Sequence, residues 1–167
     1  LLPLQEAESK TAQPAPALGK EPANALADMH VLLVDDDPGA GSALSAILQK
    51  IGCDVSYVGN GAEALEVVAD EPDWFDLVIT DLAMPEMSGL DLASRLRDRN
   101  FTRPIVLASA RLQDAPFEDR ARVGIECTIA KPFTLSEVAA VIWSIAGARA
   151  SKKAEQQAAL NRLASAG

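Results

Sequence analysis

The sequence predicts an α/β fold in which one parallel β-sheet is covered by helices on both faces. Five times along the chain a short aliphatic run is followed by an amphipathic stretch. The runs are nearly continuous in apolar character, as strands buried on both faces are, and this favours a parallel over an antiparallel sheet. A hydrophobic content of 49% over 167 residues supplies one sizeable core and leaves little room for two domains.

"VLLV" (31–34) has the bulk and brevity of a buried strand, and "ALSAILQKI" then places Leu44, Ile47, Leu48 and Ile51 at i, i+3, i+4 and i+7, the stripe of a helix. "DVSYV" (54–58) alternates as a strand. Asn60-Gly61 marks a turn, and a second helical stripe of Ala62, Leu65, Val68 and Ala69 ends before Pro72. "FDLVIT" (75–80) is the third strand, and Ser88-Gly89 leads into a helix expected to bury Leu92, Ala93 and Leu96. "PIVLAS" (104–109) is the fourth strand, with Pro104 at its first residue, where a missing N–H does least harm. A helix near 116–123 has a poor apolar stripe, "IECTIA" (125–130) is a weaker fifth strand, and a closing helix over 134–149 gathers Leu135, Val138, Ala139, Ile142, Ile145 and Ala146 on one side.

The flanks read differently. Residues 1–28 are rich in Ala, Pro, Glu and Lys without an apolar period and read as a linker, so the globular domain is expected over 29–149. Residues 150–167 hold only Leu160 and Leu163 as anchors and read as a helical extension or tail. Net charge is −9 with fifteen Lys and Arg scattered along the chain, which argues against nucleic-acid binding by this segment. Cys53 and Cys127 lack metal-site spacing and read as reduced, small apolar side chains of a cytoplasmic protein. No run approaches the ~20 apolar residues that span a bilayer, so no membrane contact is expected.

In open parallel sheets ligands bind at the carboxyl ends of the strands, near the point where strand order reverses. Applied here, that rule collects Asp35 and Asp36 from the first strand, Asp81 from the third, Ser109 from the fourth and Lys131 from the fifth. Carboxylates ~4 Å apart repel by ~1–4 kcal/mol, so three of them are expected to repel one another until a cation arrives. Mg²⁺ suits the need, because it takes one or two carboxylates together with waters and phosphate oxygens. A remaining carboxylate is then a nucleophile for a phosphoryl group whose oxygens Lys131 and Ser109 would hold. Asp37, just before Pro38, reads instead as a helix cap with Pro at the first helical position.

The runs "VLLVDDDP", "VITDLAMPEMSGLDL", "PIVLASA" and "IAKPF" resemble, in order and approximate spacing, the response-regulator receiver domain of two-component signalling. The resemblance covers about residues 29–148. It implies a flavodoxin-like (βα)₅ sandwich with strand order 2-1-3-4-5. It also implies that Asp81 takes a phosphoryl group from a phosphohistidine, and that the domain catalyses its own aspartyl phosphorylation and dephosphorylation. Asp35, Asp36, Asp81 and the backbone carbonyl of Ala83 would bind Mg²⁺, Lys131 the phosphoryl oxygens, and Ser109 and Thr128 would form the switch. In the family the bond matching Lys131-Pro132 is cis. The position of Thr128 commonly carries an aromatic side chain, and a threonine lacks that lever. The implied partner is a histidine kinase or a histidine phosphotransfer protein, and dimerisation on phosphorylation is left open.

Two wider settings fit. The opening "LLPL" resembles the close of a histidine-kinase ATP-binding domain, which would make this the C-terminal receiver of a hybrid histidine kinase, whose membrane anchor would lie elsewhere; a free-standing regulator is the alternative. From another class, Asp35-x-Asp37 resembles the nucleophile motif of haloacid-dehalogenase-type phosphatases, with Asp35 as nucleophile. That reading leaves Asp81 and "MPEMSG" unexplained. His30 has no evident partner in the sequence and reads as structural.

Overall fold

A computed structural model describes Leu26 and residues 28–165. The strands are β1 (His30–Val34), β2 (Asp54–Val58), β3 (Leu77–Asp81), β4 (Ile105–Ser109) and β5 (Cys127–Ala130), and the helices are α1 (Pro38–Lys50), α2 (Gly61–Asp70), α3 (Gly89–Asp98), α4 (Phe117–Arg122) and α5 (Leu135–Ala164). All strand pairs are parallel and the sheet order is 2-1-3-4-5, as expected.

Alternation along β1 shows why this central strand is apolar from Val31 to Val34. Val31 and Leu33 face one core with Leu44 and Leu48 of α1 and Val138, Ile142 and Ile145 of α5. Leu32 and Val34 face the other with Leu65 and Val68 of α2 and Leu92 and Leu96 of α3. Both faces of β1 are dry, whereas the edge strand β2 leaves Asp54, Ser56 and Tyr57 exposed, and the buried Thr80 of β3 satisfies its hydroxyl on the Asp81 carbonyl. Each fully buried aliphatic side chain contributes roughly 1.5–3 kcal/mol by leaving water.

The helix ends follow local chemistry. The Asp37 carboxylate accepts the Gly39 and Ala40 amides and Pro38 occupies the first turn, so the capping role read for Asp37 holds. Ser88 with Asp91 and Thr134 with Glu137 form reciprocal capping boxes at the starts of α3 and α5.

Three expectations need correction. The buried stripe of α2 is Gly61, Ala64, Leu65 and Val68, while Ala62 and Ala69 are exposed, because the i, i+3, i+4, i+7 series starts at Gly61 and not at Ala62. Leu135 is exposed, since the first turn of α5 starts beyond the sheet. His30 is partnered: its ring stacks at 4.2 Å on Trp74 and its nitrogens lie 3.6 Å from Asp54 and 3.9 Å from Asp76. Of the two readings of residues 150–167, the helical extension holds: α5 continues as one helix to Ala164, although its last buried residue is Ala146. The expected linker lies almost wholly outside the described residues, as does the "LLPL" segment.

Candidate functional site

The carboxyl ends of β1, β3, β4 and β5 converge as the strand-end rule required. Asp35 follows β1, and Asp81 and Ser109 close β3 and β4. All three are buried, with relative exposures of 2%, 8% and 4%. Lys131 follows β5, and its backbone N–H donates to the Ser109 carbonyl at 2.8 Å, which extends the β4–β5 pairing just far enough to bring the ammonium inward. The Lys131-Pro132 bond is cis.

Lys131 Nζ donates to Asp35 Oδ2 at 2.7 Å and to Asp81 Oδ1 at 2.6 Å. The remaining oxygens are held by backbone: the Asp37 amide donates to Asp35 Oδ1 and the Ala83 amide to Asp81 Oδ2, at 2.9 and 2.8 Å. Burial would lower the Lys131 pKa, but the hydrogen bonds to Asp35 and Asp81 and their charges outweigh it and hold the ammonium above its usual value. This corrects the expectation that the carboxylates repel until a metal arrives. Two of the three are already compensated, by a lysine 96 residues from one and 50 from the other.

Asp36 stands apart, exposed and without a hydrogen bond among the described residues. Ser109 Oγ accepts the Arg111 amide at 2.9 Å and makes no hydrogen bond to Asp81, so its own proton is uncommitted. Thr128 is half-buried opposite Leu107 in the β4–β5 register, so it does not share the cluster with Asp35, Asp81 and Lys131.

Two packing constraints set this geometry. The Gly89 amide donates to the Leu82 carbonyl at 2.9 Å, and a Cβ on Gly89 would collide with the Asp81 carbonyl and come within 2.9 Å of Leu107 Cδ1. Only glycine lets the loop after Asp81 close over its own strand end. Across the site, the Tyr57 hydroxyl donates to the Asp35 carbonyl at 2.7 Å, and the phenol ring lies where a Cβ on Gly41 would be. Desolvation, then the charges of Asp35, Asp36, Asp37 and Glu63, raise the Tyr57 pKa. Tyr57 was not among the expected site residues. It ends β2 but for one residue, so carrying the strand-end rule through β2 would have found it.

The donor set suits Mg²⁺. No three His, Cys, Asp or Glu side chains among the described residues form a closed metal cage. Mg²⁺ does not need one, because one or two carboxylates suffice when waters and phosphate oxygens complete the shell. Asp35 and Asp81 supply buried hard oxygens, Asp36 is a free carboxylate at the rim, and the Ala83 carbonyl accepts no backbone hydrogen bond among the described residues.

Comparison with known proteins bears on the family of the whole domain. The family model "Response regulator receiver domain" matches residues 31–142. The transcriptional regulatory protein QseB of Escherichia coli O157:H7 is 35% identical over 115 residues, covering 67% of this chain and 50% of QseB. Hybrid signal transduction histidine kinase L of Dictyostelium discoideum is 31% identical over 142 residues, 81% of this chain and 8% of the kinase. Among solved structures, the response regulator TrrA of Thermotoga maritima in complex with Mg²⁺-BeF superposes with a TM-score of 0.64 at 27% identity, covering 70% of this chain and 98% of TrrA. The chain spans between 8% and 50% of the length of the curated relatives it matches. With the sheet order, the strand-end cluster and a family match over two thirds of the sequence in agreement, the chain belongs to the response regulator receiver domains of two-component signalling, the phosphoacceptor modules of those pathways.

Proposed function

We propose that Asp81 is the phosphoacceptor and that Lys131, Ser109, Asp35 and Asp36 serve the transfer. The single observation that carries this is the ammonium of Lys131 bridging Asp35 and Asp81 at 2.7 and 2.6 Å in a buried cluster. An oxygen of Asp81 attacks the phosphorus of a phosphohistidine: an O–P bond forms, the N–P bond breaks, and the imidazole leaves and takes up a proton. Lys131, already within reach of both carboxylates, follows the new phosphoryl oxygens, and the uncommitted Ser109 proton is donated to another. Asp35, Asp36, Asp81 and the Ala83 carbonyl would hold Mg²⁺, which neutralises phosphoryl charge when bound. Tyr57 fixes the loop that carries Asp35 and Asp36.

The same geometry weighs against Asp35 as nucleophile. In that reading Asp37 is the acid/base, yet its carboxylate is committed to capping α1 and is exposed. Reductive trapping of the acyl phosphate separates the two: label on the Asp81 peptide supports the phosphoacceptor reading, and label on the Asp35 peptide overturns it.

We further propose that the segment functions as the receiver of a hybrid histidine kinase, with the receiver itself over 29–149 and its kinase or phosphotransfer partner docking in the cytoplasm. The match to hybrid kinase L supports this because it extends over more of the chain than the match to QseB does. Among the described residues no helix is long and apolar enough to cross a membrane. Thr128 in place of an aromatic removes the large side chain by which the strand-five face would report phosphorylation, so output through that face is expected to be weak.

A further inference from the structure

At the opposite end of the sheet from Asp81 lies a cleft of about 510 Å³ that the phosphoacceptor chemistry does not use. It exists because α5 overshoots the sheet: the helix continues 18 residues past Ala146, its last buried residue, and stands as a wall beside the amino ends of β3, β4 and β5. The wall facing the cleft is basic. Arg149, Lys152, Lys153 and Gln156 recur at i, i+3, i+4 and i+7 and so share one face of the helix, and Arg103 of the segment before β4 also lines the cleft. Four of the cations that are scattered in the sequence of a chain with net charge −9 are thus gathered at one place.

Their charge is only partly answered from within. Asp76, buried and lining the cleft, is committed to Arg149 and to the His30 amide. Arg103 reaches only Asp73, at 3.7 Å, a carboxylate that is 96% exposed and therefore a weak partner. Lys152 and Lys153 form no ion pair among the described residues. The other acid of the lining is Glu126, at the start of β5, which also forms no ion pair. Pro104 and Ile145 add apolar lining, and Thr102 and Ser144 add hydroxyls.

We propose that this cleft binds a small organic phosphate: a phosphate dianion held by Lys152, Lys153 and Arg103, carrying an apolar or aromatic body that lies against Pro104 and Ile145. The volume falls in the range of small-molecule sites, roughly 300–1,000 Å³. A guanidinium and two ammonium groups lining one cleft suit a tetrahedral dianion, since Arg offers a planar fork and Lys a mobile point charge. Concavity favours a small molecule over a flat macromolecular partner. Because its walls belong to α5 and to the segment before β4, the ligand would tie the overshooting helix to the body of the domain.

The test is an amide NMR titration of the full 167-residue chain with AMP, and separately with inorganic phosphate, on wild type, on Lys152→Ala/Lys153→Ala and on Asp81→Asn. Both lysines are exposed on a helix, so the double variant keeps the wild-type spectrum elsewhere. Saturable AMP shifts are expected at residues 102–104 and 144–156. They should weaken about tenfold or more in the lysine variant, equivalent to ~1.4 kcal/mol, and persist in Asp81→Asn. AMP should also bind more tightly than phosphate. No saturable binding, shifts centred on Asp35 and Asp81, equal binding by the lysine variant, or phosphate binding as tightly as AMP would each overturn the proposal.

Discussion

Replacing Lys131 by Met removes the ammonium that joins Asp35 and Asp81 while keeping most of the aliphatic stem. Because Nζ touches both carboxylates at 2.7 and 2.6 Å, the two bonded oxygens are close neighbours. At a separation of roughly 5 Å and an effective dielectric of about 20, two unit charges repel by ~3 kcal/mol. The lysine is 18% exposed, so water enters part of the space it leaves and screens some of that repulsion. A loss of about 2–3 kcal/mol in unfolding free energy near neutral pH is therefore expected, at the lower edge of what breaking a buried pair costs. Urea unfolding with an unchanged m-value reads it directly. One control identifies the cause. Mg²⁺ should stabilise the variant more than the wild type, since no ammonium competes for the carboxylates. A deficit that is indifferent to Mg²⁺ would mean that Lys131 acts only as packing, and the electrostatic reasoning would fail.

Three further outcomes follow from the same geometry. Gly89→Ala should lose about 2–3 kcal/mol in urea unfolding, because the added methyl would press on the Asp81 carbonyl and Leu107; stability within a few tenths of wild type would show that the loop adjusts freely. Hydrogen bonds from the Ser88 hydroxyl and amide hold Asp91 below the usual carboxylate range, so its contribution is present above its unfolded value and fades as pH falls through the folded one. Because Asp91 is exposed and its bonds are screened by water, Asp91→Ala should be less stable by only a few tenths of a kcal/mol to about 1 kcal/mol near neutral pH, and the gap should shrink on acidification. Burial pushes the Cys53 thiol up to about 11, and Cys127 is raised less, chiefly by burial, so alkylation of the native protein followed by mass spectrometry should modify Cys127 before Cys53.

Particular residues show what the sequence carried. The five strands could be placed because burial on both faces makes Val31–Val34 and Ile105–Ala108 apolar without a break, a pattern few other elements produce. Strand ends then named Asp35, Asp81, Ser109 and Lys131, since parallel topology alone puts them on one edge. The resting position of Lys131 was not legible. Which carboxylate a lysine joins depends on how far β5 runs alongside β4, and that is set by pairing across the sheet. Tyr57 escaped notice because its ring serves α1 through Gly41, a contact between elements that leaves no local period. The helical extension of α5 was legible only as one of two readings. An apolar stripe marks a helix only where it is buried, and beyond Ala146 the helix rests on the propensity of its Ala, Lys, Glu, Gln and Leu residues. The basic cleft was not legible for the same reason, since Arg103 shares a cleft with Arg149, Lys152 and Lys153 only if that helix continues.

The most direct test of the phosphoacceptor assignment is intact mass spectrometry after incubation with acetyl phosphate, with and without Mg²⁺, on wild type and Asp81→Asn. One added phosphoryl mass on the wild type, dependent on Mg²⁺ and absent from Asp81→Asn, is the expected result. An unmodified wild type, or an equal adduct on Asp81→Asn, would contradict it.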